Sequence, residues 1–251
     1  MVDIHTHVLP GLDDGAGTLE EGFEMLKLAA ASGSTDLVAT PNAQFHFDEH
    51  HFEEAFRWLS ALSTGMINLY RGCDWHLTAQ TVEDVLARPT KYTINHSRYL
   101  LVELPVALGP SEVWDQLKAL IHARICPIIT QPEQNLFVQS DISHLTQWVQ
   151  SGCLVQVTGQ SFLGHFGPVA RRIVESLMDA DMVHFVASDA HDCLDRPPDL
   201  SRARDLVRIR WGRARARRLF IDNPAAVIAD VPIGGERESK RRFNFFSLGS
   251  R

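Results

Sequence analysis

Val2-Asp3-Ile4-His5-Thr6-His7 at one end of the chain and Val183-His184-Phe185-Val186-Ala187-Ser188-Asp189-Ala190-His191 far along it are the stretches that decide the reading. Each opens as a short β-rich run. Side chains two apart on a strand point the same way, so His5 and His7 are expected to project together from the end of the first strand. Asp189 and His191 fall just past the end of the last one. A histidine pair or a turn aspartate alone is ordinary surface chemistry. Two such clusters at strand ends make a set of metal-ligating groups, placed where barrel enzymes build their active sites.

Five further runs, at 35–40, 67–71, 99–104, 126–130 and 154–157, join 2–5 and 183–187 to make seven candidate strands. Helix-like segments at 19–31, 49–62, 82–87, 112–123, 142–150 and 168–179 separate them, with apolar residues at helical spacing such as Phe23, Leu26 and Ala30. Thr18 followed by Glu21 is a capping box that sets the start of the first helix. Alternation of this kind needs crossover connections and so a mainly parallel sheet. Seven units in 251 residues predict an α/β fold, a closed or nearly closed (β/α) barrel forming a single domain over residues 1–231. Pro197-Pro198 is a local breaker, after which 201–210 and 213–220 read as basic helices on the outside of the barrel. A last short helix is expected from Asp222-Asn223-Pro224.

Hydrophobic residues make up 45% of the chain and charged residues 22%, which suits a soluble protein with a full core. The net charge of -7 argues against a general nucleic-acid surface. Residues 232–251 are expected to be a basic, flexible tail, with Arg237, Lys240, Arg241, Arg242 and Arg251 against only Glu236 and Glu238. Cys73, Cys126, Cys153 and Cys193 show no Cys-x-x-Cys spacing, no apolar run follows a basic start, and no stretch approaches the ~20 apolar residues of a membrane span. A cytoplasmic location fits these features.

Polar residues recur at one strand end after another: Asp13 and Asp14 after the first, Thr40-Pro41-Asn42 after the second, Gly72-Cys73-Asp74 after the third, Glu103 within the fourth and Thr130-Gln131-Pro132-Glu133-Gln134 after the fifth. Glu103, set among Leu100, Leu101, Val102 and Leu104, is costly to bury unpaired and is expected to face cations or donors. Turn chemistry accounts equally well for Asp13, Asp14 and Asn42 taken singly.

Asp3-Ile4-His5-Thr6-His7-Val8-Leu9-Pro10-Gly11-Leu12-Asp13-Asp14-Gly15, Ala39-Thr40-Pro41, Gly164-His165-Phe166-Gly167 and His184 to His191, followed by Arg196-Pro197-Pro198 and Asn223-Pro224, resemble the PHP (polymerase and histidinol phosphatase) superfamily. Within it the similarity is to capsule-locus protein-tyrosine phosphatases of the CpsB/YwqE type, and it runs from residue 1 to about Val231. The resemblance implies a distorted seven-stranded (β/α) barrel holding one to three divalent metal ions, manganese foremost, with iron, zinc or magnesium as alternatives. It implies hydrolysis of a phosphomonoester in the control of capsule or exopolysaccharide synthesis. The partner would be a phosphorylated protein, such as the tail of a tyrosine kinase, or a small phosphomonoester.

Position by position, the resemblance assigns one metal to His5, His7, Asp74 and Asp189, a second to Asp74, Glu103 and Gln131, and a third to Asp14, Asn42 and His191. Here Asp74 replaces a bridging Glu, while Gln131 and Asn42 replace His. Amide oxygens suit hard cations and are poor zinc ligands, so each change weakens a site and shifts its metal preference. Of a paired arginine phosphate clamp only Arg196 remains, the other position being Gln134, which removes a bidentate contact to phosphate. His46, His50 and His51 offer a replacement ligand in principle, although the exposed start of a helix is their favoured reading. His76, His96, His122, His144 and His165 read as structural or surface residues, and Trp58, Trp114, Trp148 and Trp211 as packing.

The expected chemistry is attack by metal-activated water, with Arg196 holding the phosphoryl group and His191 or Asp14 available to protonate the leaving oxygen. A tyrosyl group, of pKa about 10, needs that proton little. The competing expectation is a degenerate relative with reduced metal content that binds a phosphorylated partner without turnover. A metal-dependent amidohydrolase is disfavoured because no middle-strand Lys or His stands in the right place. Oligomeric state is not legible.

Overall fold

The computed structural model describes residues 1–43, 47–105 and 108–233; the basic tail and His46 lie outside them. In chain order the elements are β1 (Val2–Thr6), α1 (Leu19–Ala31), β2 (Asp36–Ala39), β3 (Asn42–Ala43), α2 (Glu49–Ser63), β4 (Asn68–Arg71), β5 (Asp74–His76), α3 (Ala79–Ala87), α4 (Pro89–Tyr92), β6 (Tyr99–Glu103) and α5 (Pro110–His122). There follow β7 (Cys126–Thr130), α6 (Leu136–Ser140), α7 (Ser143–Gln150), β8 (Leu154–Thr158), α8 (Gly159–Phe162), α9 (Gly167–Asp179), β9 (Phe185–Ala187), α10 (Ser201–Trp211), α11 (Arg213–Arg217) and α12 (Asn223–Ile228). A π-helical stretch, Arg218–Asp222, interrupts the expected helix at 213–220. Among the described residues no helix is long and apolar enough to cross a membrane.

Among the described residues every strand pairing is parallel, as the alternation predicts. Two sheets form, in the orders β1-β2-β4 and β3-β5-β6-β7-β8-β9. The extra strands arise because two paths of the chain break and resume in the other sheet. Between β2 and β3 stands Pro41, which has no N–H to give to a ladder. Between β4 and β5 stands Gly72, where a Cβ would lie 2.9 Å from Val38 Cγ1, so only glycine lets the two paths pass. Beyond β9 the chain returns to β1: Asp189 N–H donates to His5 O (2.9 Å) and His7 N–H to Ala190 O (2.8 Å). The first and last candidate strands are therefore neighbours.

The strand period of two sorts the core. On β6, Tyr99 and Leu101 join an inner cluster with Ile4, Val38, Ile128, Phe185 and Val227, whereas Leu100 and Val102 face an outer cluster under the helices. Glu103 is in phase with Leu101 and so emerges at the upper end of the inner cluster. α1 begins at the Thr18 capping box as expected, but its buried face is Gly22, Met25, Leu26 and Ala29; Phe23 and Ala30 lie at its margins. Trp148 is buried, while Trp58 is 53% exposed and is no packing residue.

One half-buried group makes the fold sensitive to acid. Val155 N–H donates to His184 Nδ1 (3.1 Å), which requires an unprotonated nitrogen. Burial, reinforced by the charge of Arg218, pulls the His184 pKa down to about 4. The unfolded chain, titrating near 6.5, then binds more protons than the native one as pH falls from about 6.5 to 4, so stability is lost over that window. For a partly exposed ring the loss is about 1–3 kcal/mol. The expected result is that His184→Gln, whose amide oxygen can accept the same bond, shows a flatter fall in unfolding free energy between pH 7 and 4 than the parent; parallel curves would exclude His184 as the group responsible.

Candidate active site

The upper ends of the strands surround a cavity of about 840 Å³. Its lining includes Asp14, Asn42, Asp74, Glu103, Gln131, Asp189, His191 and Arg196, with His7 and Gln134. His5 lies beneath it, fully buried. The parallel pairing slips between Asp3 and Thr6, the interval that holds His5.

Both N-terminal imidazoles are tied by one nitrogen and leave the other inward. His5 Nδ1 donates to Gln156 Oε1 on β8 (2.9 Å), and His7 Nδ1 is 2.7 Å from Asp13 Oδ2. His5 Nε2 then stands 3.2 Å from His7 Nε2, 3.5 Å from Asp74 Oδ2 and 3.4 Å from Asp189 Oδ1. His7 Nε2 is 3.5 Å from the same Asp189 oxygen. Asp189 Oδ1 is buried and makes no hydrogen bond. An orphaned carboxylate oxygen facing two imidazole nitrogens, at separations near the ~3.4 Å edge of a tetrahedron with bonds of about 2.1 Å, fits a divalent cation. The outer ties to Gln156 and Asp13 hold the rings in the ligating tautomer.

The electrostatics agree. Burial opposes charge on His5, but Asp74 and Asp189 overcome it and push the pKa up to about 9. Burial is likewise outweighed at His7 by Asp13 and Asp189, which raise it to about 10. Asp189 is held well below the carboxylate range by His5, His7 and Arg196 despite its burial, and Asp74 is lowered chiefly by His5. The carboxylates thus call for positive charge at the two rings, which a bound cation would supply in place of protons. His191 behaves oppositely: burial and the neighbouring His7 charge pull it down to about 4. Its Nδ1–H donates to Asp189 O (3.0 Å), leaving Nε2 3.6 Å from Asp14 Oδ1.

Arg196 donates through Nη2 to Asp189 Oδ2, packs over the Phe166 ring, and keeps a buried Nε without a hydrogen-bond partner. Asp189 itself has φ 54°, a left-handed conformation that aspartate tolerates and that marks strain held in place by its surroundings. These features together are those of a hydrolytic metal centre with a cation at its edge for an anionic substrate.

Comparison with known proteins decides the family. The family described as Capsular polysaccharide synthesis, CpsB/CapC, matches residues 1–229. The chain belongs to the CpsB/CapC family. The tyrosine-protein phosphatase YwqE of Bacillus subtilis (strain 168) is 30% identical over 202 residues, spanning 78% of this chain and 79% of its own length. The tyrosine-protein phosphatase CpsB of Streptococcus pneumoniae is 25% identical over 241 residues, 92% of this chain and 99% of its own. A chain from the crystal structures of YwqE and CpsB, described as unique metal-dependent tyrosine phosphatases, superposes with TM-score 0.86 at 27% identity, covering 93% of this chain and 96% of that one.

For a CpsB/CapC chain, some residues stand where sequence reasoning does not put them. His76 is a correction: expected to be structural or on the surface, it lines the cavity, with Nε2 2.6 Å from Glu103 Oε2 and 3.0 Å from Asn42 Oδ1. Burial lowers its pKa but the Glu103 bond prevails and raises it. Asp13 is more than a turn residue, since it also accepts from Asn42 N–H (2.8 Å) and so joins His7 to the second strand path. Gln156 is the polar exception within Leu154-Val155-Gln156-Val157, a signal that could have flagged it. Glu133 is fully buried, accepting from Thr158 N–H (2.8 Å) and Ser161 Oγ–H (2.7 Å), and anchors the turn that carries Gln131 and Gln134. His51 reaches the cavity rim near Gly11, His50 lies in a separate groove, and His165 is exposed outside the lining.

Proposed function

We propose that this chain is a metal-dependent phosphatase acting on phosphotyrosine in a protein that controls capsule or exopolysaccharide synthesis. The observation that carries the reading is the buried, unbonded Asp189 Oδ1 facing His5 Nε2 and His7 Nε2. His5, His7, Asp74 and Asp189 would hold the principal ion; the resemblance puts manganese first, and two imidazole nitrogens with two carboxylate oxygens suit iron or zinc as well. Asp14 with Asp13, and His191 with Asp189, each make a further ligand group with His7. The nine strand segments are read as seven staves, β2 with β3 and β4 with β5 each making one, of a PHP-type barrel over residues 1–231.

Divalent ions in this centre would supply Lewis-acid stabilisation of the phosphoryl oxygens and water of lowered pKa. The residues of the chain do the rest. Arg196, in the cavity lining, would bind the phosphoryl group at the cavity edge. Asp13 and Gln156 fix the two rings, and Glu133 fixes the turn opposite. His191, whose Nε2 faces Asp14 Oδ1, would hold an ion or serve as an acid. A tyrosyl oxygen, whose pKa is about 10, leaves without needing one. Asn42, Gln131 and Gln134, standing where the resemblance expects two imidazoles and a guanidinium, favour a second reading in which the chain binds a phosphorylated protein without turnover.

The discriminating experiment is hydrolysis of a phosphotyrosyl peptide by protein stripped with chelator and then supplied with Mn2+. Turnover is expected to vanish on stripping and return with the ion. Turnover indifferent to chelation would sink the metal mechanism, and none under either condition would select the binding reading.

A further inference from the structure

The positions at 42 and 131 lack imidazoles, yet the cavity contains one that compensates for them. β5 and β6 are paired so that His76 is the register partner of Glu103, while β3 and β5 pair Asn42 with Asp74. Register partners on parallel strands carry their side chains on one face, so four oxygen- or nitrogen-bearing groups from three strand paths converge by backbone geometry alone. His76 Nε2 lies 2.6 Å from Glu103 Oε2 and 3.0 Å from Asn42 Oδ1. One ligating atom each from Asp74, His76 and Glu103 falls within 4.8 Å of the others. The Asn42 amide is oriented for this role, because its Nδ2 donates to Asp14 Oδ1 (3.1 Å) and turns the oxygen toward His76.

We infer that His76 is a metal ligand of this chain, supplying the imidazole of a second divalent-ion site made with Asp74, Glu103 and the amide oxygen of Asn42. Asp74 belongs both to this set and to that of His5 and His7, so its carboxylate would be shared between the two sites. His76 thus takes the place that the resemblance gives to residue 131, and Asn42 serves this site in place of one with Asp14 and His191. One nitrogen among three oxygens makes a site that accepts Mn2+ and Fe2+ readily; without the imidazole the remaining oxygens would suit Mg2+ or Ca2+ better. The inference deepens the proposed function and rests on its metal centre.

The test is metal stoichiometry and affinity for Mn2+ by equilibrium dialysis with elemental analysis, on the full chain and on His76→Ala, His76→Gln and Gln131→Ala. The parent is expected to bind at least two ions. His76→Ala should lose one equivalent or bind it at least 100-fold more weakly, the scale set by losing an orienting group behind a ligand. The exchange-coupled electron paramagnetic resonance signal of an Mn2+ pair should give way to that of an isolated ion. His76→Gln, which keeps a polar chain of similar length, guards against misfolding and should shift the weakened site toward Mg2+. Gln131→Ala should keep the full count. Unchanged stoichiometry and affinity in His76→Ala, or loss of the ion in Gln131→Ala instead, overturns the inference and leaves His76 an ion-pair partner of Glu103. A parent that binds one ion and hydrolyses phosphotyrosine overturns it while the proposed function stands; two ions in the parent, one of them lost in His76→Ala, with no turnover, sustains it while that function fails.

Discussion

Asp189→Asn is expected to lower kcat/KM on an aryl phosphate by roughly a thousandfold, the scale of removing one electrostatic stabiliser from a reaction centre. The substitution is chosen to isolate charge. Asparagine tolerates the left-handed backbone at φ 54°, and the main-chain bonds of residue 189 to His5 O and from His191 Nδ1 do not involve the carboxylate. What is lost is the negative charge shared by the oxygen that faces His5 Nε2 and His7 Nε2 and the oxygen that holds Arg196, one of the two becoming an amide NH2. The principal ion and the phosphate-binding cation are thus both weakened by one atom's change. Mn2+ binding should fall in step with activity while the circular dichroism spectrum stays that of the parent. Activity above a tenth of the parent's, with the ion retained, would mean that Asp189 is a structural partner of Arg196 and nothing more.

The second large effect is expected at Gly15. A Cβ there would lie 2.1 Å from His7 O and 2.4 Å from His7 Cβ, atoms that cannot swing aside as the tip of a side chain could. The loop is folded onto His7 by Ala16 N–H to His7 O (3.0 Å) and Gly11 N–H to Ala16 O (2.8 Å), and Asp13 Oδ1 receives Gly15 N–H (2.9 Å). Gly15→Ala must therefore lift the loop and carry Asp13 away from His7 Nδ1. Overpacking of this kind costs about 1–3 kcal/mol, or somewhat more against backbone. Losing the group that orients a ligating histidine costs a further 10–100-fold in metal affinity. Calorimetry should show a melting temperature lower by about 5–10 °C, at about 2–4 °C per kcal/mol for a chain of this size, and Mn2+ titration the weaker binding. A variant that melts with the parent and binds Mn2+ normally would show that the loop has room to yield.

Much of the architecture is legible from local pattern. The run of apolar residues at 99–104 and 126–130 reads as buried parallel strands because both faces are covered, and the structure gives β6 and β7 nearly those bounds. The Thr18 cap is legible because two residues three apart, Thr18 and Glu21, make it. Short helices such as α4, α6 and α8 escape such reading, being too brief to show a period. So do β3 and β5, which exist only because neighbouring strands capture a few residues beyond Pro41 and Gly72.

His76 shows the same divide at the site. The rule that pairs His5 with His7 applies equally to Asp74 and His76, yet Cys73-Asp74-Trp75-His76 reads as loop once the strand is ended at Arg71. Alternation along a chain says which side chains share a face of one strand, and it is enough to nominate His5, His7, Glu103 and Asp189. It says nothing of how far one strand is slid against the next. That offset, set by crossover packing and by the breaks at Pro41 and Gly72, brings His76 level with Glu103 and Asn42 level with Asp74. Local periodicity nominates the ligands because it is a property of neighbouring bonds; which of them meet depends on register between distant segments, and register is settled by packing across the whole fold.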